Sequence, residues 1–361
     1  MGTQETVESV DVVVIGGGQA GLASGYYLRR MGVDFVILDA SQRIGDSWRQ
    51  RWDSLQLFTP ARYDRLPGMP FPAAPDSFPT KDEMADYLEA YARQFALPVR
   101  SGAQVGRLWR TADRLVLACG GFGFQTSEVV VATGAHVTPL RPAWAGELDP
   151  AIVQLHARDY RNPAQLPAGP VLVVGAGNSG AEIAMETAAA GHITWLAGRP
   201  VGESPERAYA FGGRLFWFFA NSVASRRHPL GRRIVSKLAS RGGPLIRLRL
   251  KDVVAAGVGL VPRVTGVSSG RPVLADGRTL PPASIVWCTG FGQDFRWIDL
   301  PSLQEPGLHF IGMPFQHKLA SALIGGVGSD AEQLARSIRA TLSRRPPQGA
   351  TTAGMVPSTP S

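Results

Sequence analysis

Two glycine-rich turns carry the residues whose type and spacing can do chemistry. The first reads Gly16-Gly-Gly18-Gln19-Ala20-Gly21, the second Gly175-Ala-Gly177-Asn178-Ser179-Gly180. In each, the first glycine permits a tight turn, the second lets backbone approach a pyrophosphate, and the third lets a helix pack on a strand. A phosphate held there lies at the positive end of the helix. The two turns differ in the charge that comes after them. Asp39 stands beyond the first at the interval of a carboxylate that accepts both ribose hydroxyls, which requires a free 2′-OH and points to FAD or NAD. After the second, Leu196-Ala-Gly198-Arg199 offers a guanidinium instead, which holds a 2′-phosphate bidentately and points to NADPH. The plainer alternative is a solvated Arg199, with both coenzymes bound alike.

These turns need a strand before and a helix after. Asp11 to Ile15 reads as a buried strand, Leu22 to Met31 as a helix, and Val33 to Asp39 as a second strand. The pattern repeats with a strand over Pro170–Val174, a helix over Ala181–Ala190 and a strand over His192–Ala197. Two such units mean two nucleotide sites or an internal duplication. Between them, the proline-rich stretch Pro60–Pro79 predicts an extended crossing segment. Lys81 to Phe95 predicts an amphipathic helix with Met84, Tyr87, Leu88 and Tyr91 on one face. Val105 to Val131 predicts an antiparallel meander with Gly120-Gly121 in one turn, ending in Ala132-Thr133-Gly134. Pro281 to Gly290 repeats that ending as a strand and then Cys288-Thr289-Gly290.

With 361 residues the chain has room for two ordinary domains. It is 44% hydrophobic and 18% charged, which excludes a disordered chain. Cys119 and Cys288 stand far apart and form no CxxC, so neither a disulfide framework nor a metal site is expected. With Glu5 and Glu8 near the start and no apolar stretch after a basic one, no secretory signal is expected, and no apolar run approaches the ~20 residues of a spanning helix. A cytoplasmic protein is the expectation. The formal charge of +8 is local: residues 207–251 hold eleven Lys/Arg and no Asp/Glu. No nucleic-acid-binding signature accompanies this block, so no nucleic-acid partner is expected. Its aromatics, Phe211 and Leu215-Phe-Trp-Phe-Phe219, leave two readings open. One is an interfacial helix pair in weak contact with an anionic membrane surface. The other has the aromatics filling the core or walling a substrate tunnel while the Arg side chains stay solvated.

The order of first fingerprint, ATG, second fingerprint and CTGF resembles the flavoproteins with two dinucleotide domains. More narrowly, Gly45-Asp-Ser-Trp-Arg-Gln-Arg-Trp-Asp-Ser-Leu-Gln-Leu-Phe-Thr-Pro60 with Leu66-Pro-Gly-Met-Pro-Phe-Pro72 resembles the class B flavin-containing monooxygenases. The nearest branch is the short bacterial one, similar to the plant YUCCA enzymes, and the resemblance covers roughly residues 10–340. It implies an α/β fold of two Rossmann-like domains, the NADP domain inserted into the FAD domain. The division is 1–145 for the first part of the FAD domain, 146–284 for the NADP domain, 285–343 for the second part, and a disordered tail over 344–361. Ser47, Trp48, Phe58 and Thr59 are implied along the flavin, and Gln316 matches a flavin-side Gln. Val105, Thr133, Gly134, Thr289 and Gly290 complete the set expected at the cofactors. Two departures stand out. The family identifier is split between Trp144-Ala-Gly146 and His156-Ala-Arg-Asp-Tyr160 by a longer gap. Its ending in Tyr160 favours heteroatom-oxidising and YUCCA-like branches over Baeyer–Villiger enzymes. Phe58 stands where many heteroatom oxygenases have an Asn, and Phe supplies no polar contact.

The resemblance implies an FAD-dependent, NADPH-consuming monooxygenase that inserts one atom of O2 into a small apolar or nucleophilic substrate through a C4a-(hydro)peroxyflavin. Hard chemistry of that kind belongs to the flavin, so most of the chain's site residues are expected to bind and orient, and no catalytic side chain is assigned. Two other readings stay open: an NADPH reductase passing electrons to a protein or metal acceptor, and a flavin-binding redox sensor. His136, His192, His228 and His309 read as ordinary strand or surface residues, while His317 comes directly after Gln316 and stands open as a neighbour of the ring. Cys288 has no base near it in sequence and is not expected to act as a nucleophile.

Overall fold

Each glycine turn has its own sheet, the first mixed and the second parallel. The computed structural model describes residues 6–204, 213, 217, 231–233 and 244–344. The first sheet runs in the order Ile298–Asp299, Arg107–Thr111, Arg114–Cys119, Phe122–Val131, Thr6–Ile15, Phe35–Leu38, Val99–Arg100, with Leu308–Phe310 also parallel to Phe122–Val131. The second is all parallel: Gly259–Val261, Thr194–Ala197, Val171–Val174, Ser284–Trp287, Val153–His156. Strands of the first sheet come from both before and after those of the second, so the second unit is an insertion in the first. Ser284–Trp287 pairs within the second sheet, so the return to the first unit falls after Trp287 and not at the expected 284/285 boundary.

The meander appears as expected, with Arg107–Thr111, Arg114–Cys119 and Phe122–Val131 pairing antiparallel. Val12–Ile15 and Val171–Val174 are continuous apolar runs with every residue buried, as parallel strands covered on both faces require. The helix Lys81–Gln94 buries Met84, Tyr87, Leu88 and Tyr91. Thr80 starts it through a capping box with Glu83, which satisfies two end amides reciprocally. Pro60–Pro79 holds only one short turn of 3-10 helix, Ala61–Tyr63. The last helix, Ile324–Arg344, packs along Gln19–Arg30 and returns the chain to the first glycine turn; Arg344, where the tail was expected to begin, is helical. Residues 345–361, His228 and most of 207–251 lie outside the described residues.

Candidate active site

The first glycine turn joins Thr6–Ile15 to the helix Gln19–Arg30. Gly16 has φ +109°, and a Cβ there would lie 2.4 Å from the carbonyl oxygen of Ala132. A Cβ on Gly21 would lie 1.9 Å from the oxygen of Gly16. Gly18 differs: its φ of −78° and ψ of −172° suit any residue, and a Cβ would meet no protein atom within 4 Å. The fold does not demand glycine at position 18. A ligand pressing on the backbone would, and that is the fit expected of a dinucleotide pyrophosphate. Asp39 ends the neighbouring strand. Its Oδ2 accepts from Gly17 N at 2.9 Å and its Oδ1 from Ser41 N at 2.8 Å, leaving lone pairs for ribose hydroxyls. Ala103 N donates to Asp39 O at 2.8 Å, bringing the half-buried Val105 to the same strand end. Gln19 and Ala20 form the first turn of the helix, and Thr133 and Gly134 come after Ala132 over the top of the sheet.

The second turn is built the same way. Gly175 has φ +117°, and a Cβ there would lie 2.3 Å from the oxygen of Cys288; on Gly180 it would lie 1.8 Å from the oxygen of Gly175. Gly177, at φ −81° and ψ −174°, again has nothing within 4 Å. Ala132 N donates to Ile15 O and Cys288 N to Val174 O, both at 2.8 Å, so ATG and CTG close over their turns alike. Ser179 lies half-buried in the first helical turn beside Asn178, whose side chain is spent inward, donating to Pro244 O at 3.1 Å and accepting from Ile246 N at 3.0 Å.

Around Gly175 and Gly177 opens a pocket of about 440 Å³, also lined by Arg199, Arg263, Thr289 and Gly290. None of its lining residues is acidic. Arg263 was not singled out in the sequence. The available signal was positional: Thr194–Ala197 and Gly259–Val261 are parallel neighbours, so Arg199 and Arg263, each just beyond its strand, emerge at the same end. Cys288 also lines this pocket; burial pushes its thiol up to about 12, and a protonated thiol is a poor nucleophile.

Two short segments cross between the units, Thr138–Pro139 and Phe291–Gly292, paired antiparallel. His156 sits beneath them, fully buried. Its Nδ1 accepts from Arg158 N at 3.1 Å, so its Nε2 carries the hydrogen and donates to Gly290 O at 3.1 Å. Tyr160 is buried with its hydroxyl donating to Glu186 Oε2 at 2.9 Å, and Trp144 meets Trp287 edge-on. Both halves of the split identifier thus brace the second sheet and the crossing. His136 is exposed, as expected of a surface residue, and its ring meets Phe291 edge-on at 4.9 Å. His192 bonds Gly169 O and His309 bonds Glu128, both structural roles.

Ser47 and Trp48 lie on the short helix Asp46–Arg49, held to Lys81–Gln94 by Arg49, whose guanidinium reaches Asp86 at 2.8 Å and Glu89 at 3.2 Å. Phe58 is half-buried and Thr59 buried. The Thr59 hydroxyl donates to Oδ1 of Asp64, a buried carboxyl that sequence reading missed; its Oδ2 has no hydrogen-bond partner, and burial pushes it up to about 7. Gln316 turns its side chain into its own loop, donating to Phe310 O at 2.5 Å. His317 comes next with an exposed side chain. Trp217 is the one residue of the 215–219 aromatic run among those described. It is buried and stacks on Tyr63 at 4.9 Å, so at this position the aromatic packs inward. No described helix is long and apolar enough to cross a membrane, and no group of three or more His, Cys, Asp or Glu among the described residues is placed to hold a metal.

Comparison with known proteins agrees with this architecture. The family described as pyridine nucleotide-disulphide oxidoreductase matches residues 13–208. The "uncharacterized oxidoreductase CzcO-like" of Geobacillus kaustophilus (strain HTA426) is 37% identical over 344 residues, 91% of this chain and 98% of its own length. Indole-3-pyruvate monooxygenase YUCCA4 of Oryza sativa subsp. japonica is 34% identical over 200 residues, 50% of this chain and 46% of its own. The solved flavin-containing monooxygenase from Stenotrophomonas maltophilia superposes with a TM-score of 0.75 at 29% identity, covering 93% of this chain and 99% of that one. Fold and site together define an α/β oxidoreductase with two dinucleotide cradles, a flavoprotein enzyme. The chain belongs to the pyridine nucleotide-disulphide oxidoreductase family, in its flavin-containing monooxygenase-like branch, whose members use FAD and NADPH.

Proposed function

We propose that this enzyme consumes NADPH and O2 to place one oxygen atom on a small apolar or nucleophilic organic substrate, and that it works in the cytoplasm. The observation that carries the reading is the pair of matching cradles with opposite charge at the strand end, Asp39 in one and Arg199 in the other. Gly16, Gly18, Gln19, Ala20 and Gly21 would hold the FAD pyrophosphate, Asp39 its ribose, and Val105, Thr133 and Gly134 the adjoining edge. Gly175, Gly177, Asn178, Ser179 and Gly180 would hold NADPH, with Arg199 on its 2′-phosphate and Thr289 and Gly290 beside it. Ser47, Trp48, Phe58, Thr59 and Gln316 would border the ring. When bound, the flavin supplies hydride acceptance and oxygen activation.

The chain's own contribution is binding, orientation and exclusion of water. Phe58 offers the ring an apolar neighbour in place of an amide. His156, fixed in one tautomer, braces the crossing from which Gly290 extends to the coenzyme pocket. With no CxxC in the sequence, a dithiol relay of the disulfide-reductase kind has no residues to run through. The test is stoichiometry: NADPH oxidised, O2 consumed and oxygenated product formed in equal amounts on a panel of small organic nucleophiles. NADPH oxidation that needs an added electron acceptor and leaves every organic compound unchanged would mark a reductase instead.

A further inference from the structure

At the crossing between the two cradles three arginines have no acidic partner among the described residues. Arg51 comes from the first unit, just after Asp46–Arg49. Its guanidinium lies over the ring of Phe291, 5.4 Å from the centroid, and its one hydrogen bond is to Ser47 O at 3.2 Å. Phe291 is joined directly to Gly290 of the coenzyme pocket, and its ring also meets His136 and His156. Arg158 and Arg161 approach from the second unit. They bond only carbonyls, Arg158 to Val137 O at 3.0 Å and Arg161 to Arg158 O at 2.9 Å and Tyr160 O at 3.3 Å. No described carboxylate lies within ion-pair distance of any of the three. The nearby acids are engaged elsewhere, Asp53 with Asn162 and Asp159 with Arg141.

A half-buried guanidinium that feels the charge of two others is an unfavourable arrangement. Desolvation, and then the charges of Arg158 and Arg161, push the Arg51 pKa below its ordinary value. The face of Phe291 offsets part of this, on the order of 0.5–2 kcal/mol for a cation over an aromatic ring. The remaining charge is left for an anion, and a planar guanidinium fits a carboxylate or phosphate fork. Crossings between domains are where ligands commonly lie.

We propose that Arg51, backed by Arg158 and Arg161, is an anion-binding site at the crossing between the cradles, for a group bearing carboxylate or phosphate oxygens. Two sources share that chemistry: the pyrophosphate of the coenzyme extending from the second cradle, and a carboxylate on the substrate. This rests on the proposed function only in placing the coenzyme at Gly175–Gly180.

The test measures binding to the flavin-loaded protein by calorimetry, for wild type, Arg51→Met and Arg51→Lys. The probes are NADP+, adenosine 2′-monophosphate, benzoate and neutral benzamide. If the anion is the pyrophosphate, Arg51→Met weakens NADP+ tenfold or more and leaves the 2′-monophosphate, which carries no part of the pyrophosphate, unchanged. If it is a substrate carboxylate, Arg51→Met weakens benzoate by that factor and spares benzamide and NADP+. Arg51→Lys retains part of the affinity in either case. Equal binding of NADP+ and of benzoate by wild type and Arg51→Met overturns the proposal. A wild-type protein that binds no adenosine 2′-monophosphate would overturn the coenzyme assignment instead, and the benzoate arm would still judge Arg51.

Discussion

Laid over each other, the two cradles share backbone and differ in side chains. In both, the outer glycines are demanded by protein atoms, Ala132 and Gly16 in one, Cys288 and Gly175 in the other. In both, the middle glycine faces open space. The contrast begins one strand further on. Asp39 is pinned by two backbone amides, whereas Arg199 is exposed, with Arg263 in the same pocket. A pinned acid selects a ligand by rejecting a phosphate at one fixed place. Free cations select by gathering one, and they leave room for more than one pose.

The strongest test of shared backbone is to add a methyl group where protein already stands. Gly21→Ala and Gly180→Ala each place a Cβ less than 2 Å from a carbonyl oxygen of the preceding turn. Overpacking of this kind costs roughly 3 kcal/mol or more, since backbone has to move. Both variants are expected to lose soluble yield or to drop in Tm by about 6–12 °C. A normal Tm for one alone would show that the cradles are not equivalent.

Gly18→Ala and Gly177→Ala should separate the two sites, because neither strains the fold. Gly18→Ala is expected to give folded, colourless protein. Gly177→Ala is expected to give yellow protein that NADPH reduces slowly. The reverse pattern would exchange the two ligands. Circular dichroism and flavin absorbance on the same samples check both halves of the expectation.

Much of this was legible in the sequence because it is set by local backbone rules. Glycine spacing, the apolar strands and the apolar face of the helix after Thr80 each act within a few residues, and the structure has all of them. Contacts made across the fold escaped. Arg263 joins Arg199 only because Gly259–Val261 lies beside Thr194–Ala197. Asp64 sits among residues that read as a plain proline-rich crossing, and its isolation depends on what the tertiary fold keeps away from it. The boundary at 284/285 was misdrawn for a similar reason: the repeated strand-and-CTG ending belongs to the second sheet through Trp287.

A smaller effect is expected at the strand ends. Arg199→Ala should raise the KM for NADPH ten- to hundred-fold and leave NADH unchanged, since a guanidinium–phosphate contact is worth about 1.5–3 kcal/mol. Arg263→Ala should do the same to a lesser degree. Steady-state rates with both coenzymes decide it, and a wild-type enzyme that used NADH and NADPH equally would remove the selective role from both arginines. At the other strand end, Asp39→Ala is expected to weaken FAD retention, read as flavin lost on dialysis.

The units also differ in how they bury acid, and here the smallest effect is expected. Glu182 of the second unit has Arg247 at 3.0 Å, while Asp64 of the first has only the Thr59 hydroxyl. Burial raises both carboxyls, but Arg247 pulls Glu182 back, whereas Asp64 is carried to about 7 from an ordinary 3.8. Below pH 3.8 Asp64 is protonated in folded and unfolded chains alike, and the folded state benefits from its retained proton. As pH rises towards 7 the unfolded chain ionises first, so this contribution falls away, and above 7 the folded protein carries a buried charge. Full conversion would amount to ~4 kcal/mol. Opening of the 59–64 turn to water should reduce it to on the order of 1 kcal/mol, or ~2 °C in Tm. Asp64→Asn is therefore expected to match wild type below about pH 3.8 and to exceed its Tm at about pH 8. Glu182→Gln, which leaves Arg247 without its partner, should lower Tm at the higher pH. An Asp64→Asn variant less stable than wild type at the higher pH would mean that the charged carboxylate has a partner after all, and the contrast between the two buried acids would fall.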